Sequence, residues 1–365
     1  MKIGTISRAS KFSFATATLA AFLISSSVTF AGENNPGAVS PHQSGFNILP
    51  KPNGGGNLPS APTILDWANV GTDWSTGANW VGGVAPTSST TANIAEFGVQ
   101  GGAPVNPNVG SAQSIAGVSF LSGAFSYTIG GSALTVGSIG ISNSATNTET
   151  FSNAVGPSIN STWTTASGGT TVFNGAVNIN SNTAANRFLT ISGAGTTTIN
   201  GVVQNSFAGS TGHLTYTGTG TLNLLNTNTY NGGTIISGAG GTLFAGATGA
   251  LGTGNISLTA TSVTLTLQGA SNNYIGDTAN LSFINGDTIN LNFTGTDTIG
   301  ALIVDGVSLA PGLYGAAGTN PDGDFNGTGF LLVTTQIPER STWSMLVMGA
   351  ALLLGVQRWR RRRTS

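Results

Sequence analysis

There is no cysteine in this chain of 365 residues, which excludes disulfides, thiolate metal sites and a cysteine nucleophile. Charge is almost as scarce: 6% of the residues are charged, and there are two histidines, His42 and His213. The shortage is uneven. Between residues 32 and 337 only Lys51 and Arg187 are basic, against 11 acids, a net charge of −9 that the whole-chain value of −1 conceals. Phosphate binding needs Lys and Arg, so no nucleic-acid partner is expected. No Ser-His-Asp order with a local signature is present, and glycine runs such as GAGG at 238–241 are commonplace among 55 glycines, so no phosphate loop is read there. No cofactor is expected. What abounds is Gly, Thr, Ser and Asn, with Thr, Val and Ile recurring in the alternation of half-buried strands.

Long apolar runs are confined to the two ends. Lys2, Arg8 and Lys11 precede an apolar stretch from 12 to 24, and Thr29 and Ala31 suit cleavage after Ala31. That order is a secretory signal peptide, residues 1–31, so export is expected. At the other end, residues 341–357 carry no charge and as a helix would extend roughly 25 Å, slightly short of a ~30 Å hydrocarbon core. Trp343 precedes the run, Leu346, Leu352, Leu353 and Leu354 lie within it, and Arg358, Arg360, Arg361, Arg362 and Arg363 follow. Snorkelling arginines complete the span, and their number places the C-terminus on the cytoplasmic side. Pro338, Glu339 and Arg340 stand immediately before it. Short motif, single span and arginine cluster together resemble the PEP-CTERM sorting signal over 337–365, with Arg340 where that family usually has proline. The resemblance implies cleavage at the motif by an exosortase-type membrane protease, after transient residence in the inner membrane.

Residues 32–62 read as a linker, with six of the 13 prolines, GGG at 54–56 and a solvated His42. From 63 to 98 three tryptophans, Trp67, Trp74 and Trp80, each follow Asp or Asn within 15 residues. They suit either a sugar-stacking platform or a cap closing the open end of a repetitive β-structure. The cap is favoured, because solenoids need ends that do not polymerise. The segment also resembles the Trp-rich opening that precedes β-strand repeats in bacterial surface proteins.

Residues 99–298 repeat. LTISGAGT at 189–196 matches LTYTGTGT at 214–221 with an offset of 25, and a third copy, from Trp163 through Gly169 to Phe173, aligns 26 residues earlier. Such a period in a chain rich in β-branched residues predicts a β-solenoid with coils about 4.8 Å apart, an inward apolar core and Asn or Thr ladders at the corners. The clearest unit, residues 217–258, runs GTGTLNL, NTYNGGT and GALG, and resembles the autotransporter-associated β-strand repeat. That family implies a right-handed parallel β-helix displayed at cell surfaces.

Residues 299–336 form a terminal β module resembling the closing strands after such repeats. In it Asp322, Asp324 and Asn326 open like a calcium loop, D-x-D-x-N-G, but Val333 occupies the position of the bidentate Glu, so a polar turn is favoured over a metal site. Asp277, Asp287, Asp297 and Asp305, eight to ten residues apart, read as turn markers next to glycine or as one carboxylate face. The expectation is therefore an all-β chain: a right-handed parallel β-helix with a Trp-rich cap and one C-terminal transmembrane helix. Its expected role is non-enzymatic, as an exported surface or matrix protein or adhesin with exopolysaccharide as partner. The alternatives are a β-helix polysaccharide lyase or glycoside hydrolase, and a carbohydrate-binding module contacting glycan through the three tryptophans.

Overall fold

In a computed structural model the described residues are 60–180 and 185–337. The expected signal peptide, nearly all of the expected linker and the expected sorting signal with its membrane span, including Pro338, Glu339, Arg340 and Trp343, lie outside them. The described chain is all-β, a parallel β-solenoid of about nine coils. Among the described residues no helix is long and apolar enough to cross a membrane.

Two parallel sheets carry the coils. The first has 15 strands and the second ten. The alternation in the sequence sets the faces: Thr170–Phe173, Thr196–Ile199, Thr221–Leu224 and Thr242–Ala245 all alternate half-exposed with buried positions. A period of two sends every second side chain inward, where apolar residues such as Ile199, Leu222, Leu224 and Leu243 are at most 1% exposed. Outside, on the second sheet, the register aligns Thr148, Thr170, Thr196, Thr221, Thr242, Thr264 and Thr288 in one file across seven coils.

The repeat found in the sequence is the register of the fold. Leu189 pairs with Leu214 on the first sheet, and Thr196 pairs with Thr221 on the second. The earlier copy needs a correction. Thr170 does pair with Thr196, an offset of 26, but Trp163 pairs with Ile191 rather than Leu189, an offset of 28. From Trp163 to Thr170 the chain advances seven positions, but from their partners Ile191 to Thr196 only five. The extra residues lie at the corner, and the pairing of each strand with its neighbour keeps the inward and outward faces unchanged.

Early coils carry a third short strand each, Val155–Pro157, Val177–Asn180 and Val203–Asn205, stacked in parallel. After the last of these the first-sheet offset drops from 25 (Leu189 to Leu214) to 20 (Leu214 to Thr234). Corners are held across coils by asparagine: Asn200 Nδ2 donates to Asn174 Oδ1 at 2.8 Å, and Asn226 Nδ2 donates to the Asn200 carbonyl at 2.8 Å. In the clearest repeat, Asn228 accepts from the Val203 N–H and donates to the Ala250 carbonyl. The fully buried Tyr230 hydroxyl meets that of Thr234. At the C-terminal end the Asp305-Gly306 turn, with φ of 51° and 79°, reverses the chain into the antiparallel strand Val307–Ser308. A three-stranded sheet closes the same end, with Gly312–Tyr314 antiparallel to Phe330–Val333.

Close coil stacking makes one glycine corner obligatory. A Cβ on Gly220 would stand 2.0 Å from the Gly195 carbonyl oxygen of the preceding coil, whereas one on Gly110 would meet nothing within 4 Å. We expect Gly220→Ala to destabilise the fold by about 1–3 kcal/mol and Gly110→Ala to change stability by less than about 0.5 kcal/mol, measured by chemical denaturation. Equal effects at both positions would contradict the stacked corner.

Candidate functional site

The three tryptophans converge, but not on a ligand. Trp67, Trp74 and Trp80 are 0%, 1% and 2% exposed. Trp80 stands edge-on to both others at 5.0 Å, and all three rings lie 6.2–6.3 Å from Phe97. The indole N–H of Trp67 donates to the Val105 carbonyl at 2.7 Å, and that of Trp80 to the Trp74 carbonyl at 2.8 Å. The rings are buried, so the alternative of a glycan contact through them is corrected: they form an apolar core under the first coil, as a cap would. Ring contacts continue that core inward, stacked at Phe97–Phe120, edge-on at Phe120–Phe151 and stacked again at Phe151–Phe173.

Outside this core lies a carboxylate pair that the sequence reading missed. Asp66 and Glu96 are opposite each other on the parallel strands Thr63–Asp66 and Asn93–Phe97. Burial, and then the hydrogen bond and charge of Asp66, push Glu96 up to about 7. Two carboxyl groups that share a hydrogen bond, one of them raised to about 7, are chemically able to pass a proton. Only 30 residues separate them, but the sequence gives no sign that the two strands are adjacent. A shallow pocket nearby, of about 380 Å³, is lined by Thr72, Asp73, Ser75, Asn108, Gly110 and Ser111, without either member of the pair. Its one carboxylate, Asp73, accepts from the Ser75 hydroxyl at 2.8 Å, the Ser75 N–H at 2.9 Å and the Thr76 hydroxyl at 2.8 Å, and these bonds lower its pKa.

The remaining acids divide between solvent and the interior. Asp277 and Asp305 are exposed, while Asp287 and Asp297 are 2% and 0% exposed, so the four form no common face. The buried ones bind backbone of the preceding coil. Asp287 accepts from the Val263 N–H at 2.9 Å, and Asp297 from the N–H groups of Tyr274 and Ile275 at 2.9 and 3.2 Å. Glu149, fully buried, accepts from the Tyr127 N–H at 2.8 Å. Burial raises Glu149 and Asp297 to about 7 against the opposing pull of these N–H groups. Around Glu149 the interior is polar: Thr165 bonds to the hydroxyls of Thr171 and Thr197 at 2.8 and 3.0 Å, and Asn143 Nδ2 donates to Thr171 at 3.1 Å.

The calcium motif does not assemble. Asp324 is buried and accepts from the Gly286 N–H at 3.2 Å, whereas Asn326 is exposed in Phe325–Gly327, opposite Asn290. A single 3-10 turn, Pro321–Gly323, precedes them in place of a helix. Among the described residues no group of three or more His, Asp or Glu is placed to hold a metal. His213 stacks face to face on Phe188 at 4.4 Å, and burial lowers its pKa.

With this geometry in hand, the chain was compared with known proteins: no family model, curated protein or solved structure matches it.

The buried acids fix a pH dependence. An unfolded carboxyl titrates near 4, whereas Glu149 and Asp297 in the fold titrate near 7. Between those values the native state holds protons that the unfolded state has released, so stability falls as pH rises from about 4 to about 7 and levels off above. We expect a higher unfolding midpoint at pH 5 than at pH 8 by circular dichroism. Glu149→Gln should narrow that gap by raising the midpoint at pH 8. An increase in stability with pH would refute the buried, protonated state.

Proposed function

We propose that the chain is an exported, non-enzymatic structural protein of the bacterial cell surface or extracellular matrix. The observation that carries this reading is how the buried polar groups are used. Glu149, Asp287, Asp297, Asn228 and Thr234 bind neighbouring coils instead of converging on a cleft. A solenoid built that way suits a stiff scaffold, though a fold alone assigns no chemistry. The signal-peptide pattern at 1–31 supports export. The resemblance of 337–365 to the PEP-CTERM signal supports a C-terminal transmembrane helix at 341–357 and exosortase cleavage at Pro338, Glu339 and Arg340. The repeat at 217–258 supports a right-handed helix of the autotransporter-associated kind, used for adhesion or in a biofilm matrix with exopolysaccharide.

A second reading rests on Asp66 and Glu96. Retaining glycosidases hold two carboxyl groups about 5–5.5 Å apart, whereas these two share a hydrogen bond and would have to part to admit a sugar. With Glu96 as acid and Asp66 as nucleophile the pair could hydrolyse a glycan lying across the outer sheet face.

Two measurements decide between these readings. The intact mass of the protein recovered from the host's envelope and medium should show a C-terminus near Pro338 or Glu339. A terminus at Ser365 in inner-membrane fractions would sink exosortase sorting. Incubation with polysaccharides should release no reducing ends; release that Glu96→Gln abolishes would instead establish the hydrolase.

A further inference from the structure

The threonine file on the second sheet is a candidate surface for a ligand. Thr148, Thr170, Thr196, Thr221, Thr242, Thr264 and Thr288 follow one another in register, and neighbouring strands set their spacing at about 4.8 Å. Several other threonines are occupied: Thr165, Thr171 and Thr197 bond one another inside, while Thr217 and Thr259 return to carbonyls of the preceding coil. The seven file hydroxyls bond to no described residue. Threonine's stiff χ1 holds each one in place without further support.

Two residues along each strand runs a second outward file, Thr150, Val172, Thr198, Asn223, Phe244, Thr266 and Asn290. Neither file contains a charged residue, although the body as a whole is acidic. Its one aromatic is Phe244, half-buried on the outward side. A Cβ on Gly246 would stand 2.9 Å from Phe244 Cε1 and 2.7 Å from Leu225 Cδ2, so the ring lies down into space that only a glycine leaves free. Leu225, 40% exposed, shares that space. The result is a flat aromatic and aliphatic patch bordered by the hydroxyls of Thr221, Thr242 and Thr264 and by Asn223.

We propose that this face binds a neutral, extended polysaccharide lying along the solenoid axis. The proposal rests on the surface-matrix reading and names the partner and its docking site. Sugar rings offer an apolar C–H face for Phe244 and regularly spaced hydroxyls for the threonine file. The absence of charge favours a neutral polymer over a polyanion, whose counterions the face could not displace. Without a deep pocket, affinity accrues with the length of chain in contact, so polymers bind and short oligosaccharides do not.

The test uses the full chain in mild detergent, pulled down on two insoluble neutral glucans, cellulose and a β-1,3-glucan. Wild type should be retained on at least one. Phe244→Thr, and separately the triple variant Thr221→Val, Thr242→Val, Thr264→Val, should each weaken retention about tenfold, as loss of an anchor does, with the unfolding midpoint unchanged. Both replacements place a β-branched residue on an outward strand position, so the fold should survive. No retention of wild type, retention only on an anionic polysaccharide, or retention unaltered in both variants would overturn the proposal. Those outcomes are separate from the surface reading. A chain trimmed at Pro338 or Glu339 and found outside the cell but ignoring neutral glucans sinks only the glycan face, and a glucan-binding chain that stays inside sinks only the surface role.

Discussion

Register between neighbouring coils is the constraint on which everything else depends. Each strand pairs with the strand one coil before and one coil after, as Thr196 does with Thr170 and Thr221. That pairing satisfies the backbone, fixes which side chains face inward, and lines up every outward file. A slip of one residue would exchange the two faces of a coil, burying threonine and exposing leucine. The glycine corners, the asparagine bridges and the buried carboxylates all act to prevent that slip.

The interior shows how a chain with so few charges uses them. Glu149 and Asp297 sit where no water reaches, each with one oxygen bound to backbone N–H and the other without a partner. A carboxyl group in that setting is held neutral by desolvation. Below about pH 7 the acid then joins two coils as a neutral acceptor of backbone N–H rather than standing as a surface charge. The Trp-rich segment follows the same logic, since its indoles bond to backbone while their rings fill the core.

Much of the solenoid was readable because its information is local and periodic. The offset of 25 between 189 and 214 and the alternation in TLNL at 221–224 are written in adjacent letters. Asp305-Gly306 likewise announces its own turn. The two-residue insertion after Thr165 was missed because an alignment by repeat carries a single offset, while the structure holds two for that coil. The Asp-Trp and Asn-Trp pairs alone do not say which way the tryptophans face; what favoured the buried cap was the need of a solenoid to close its end, and the three rings are buried. The Asp66–Glu96 pair and the Asn69–Tyr127 hydrogen bond join residues 30 and 58 apart, beyond any local signal. Burial of Glu149 was readable in principle: in TETF at 148–151 the inward Phe151 obliges the residue two positions earlier to face inward too.

The ladder has a mechanical consequence. Its hydrogen bonds run along the solenoid axis, so tension between the two ends loads them in opening rather than in shear, and the coil at the loaded end carries the force first. Coils then detach one after another instead of all together. Each coil of about 25 residues pays out up to about 85 Å of chain as it lets go. A protein anchored at one end and gripped at the other would lengthen in steps under load, and could rewind when slack returns because each coil needs only its neighbour as a template.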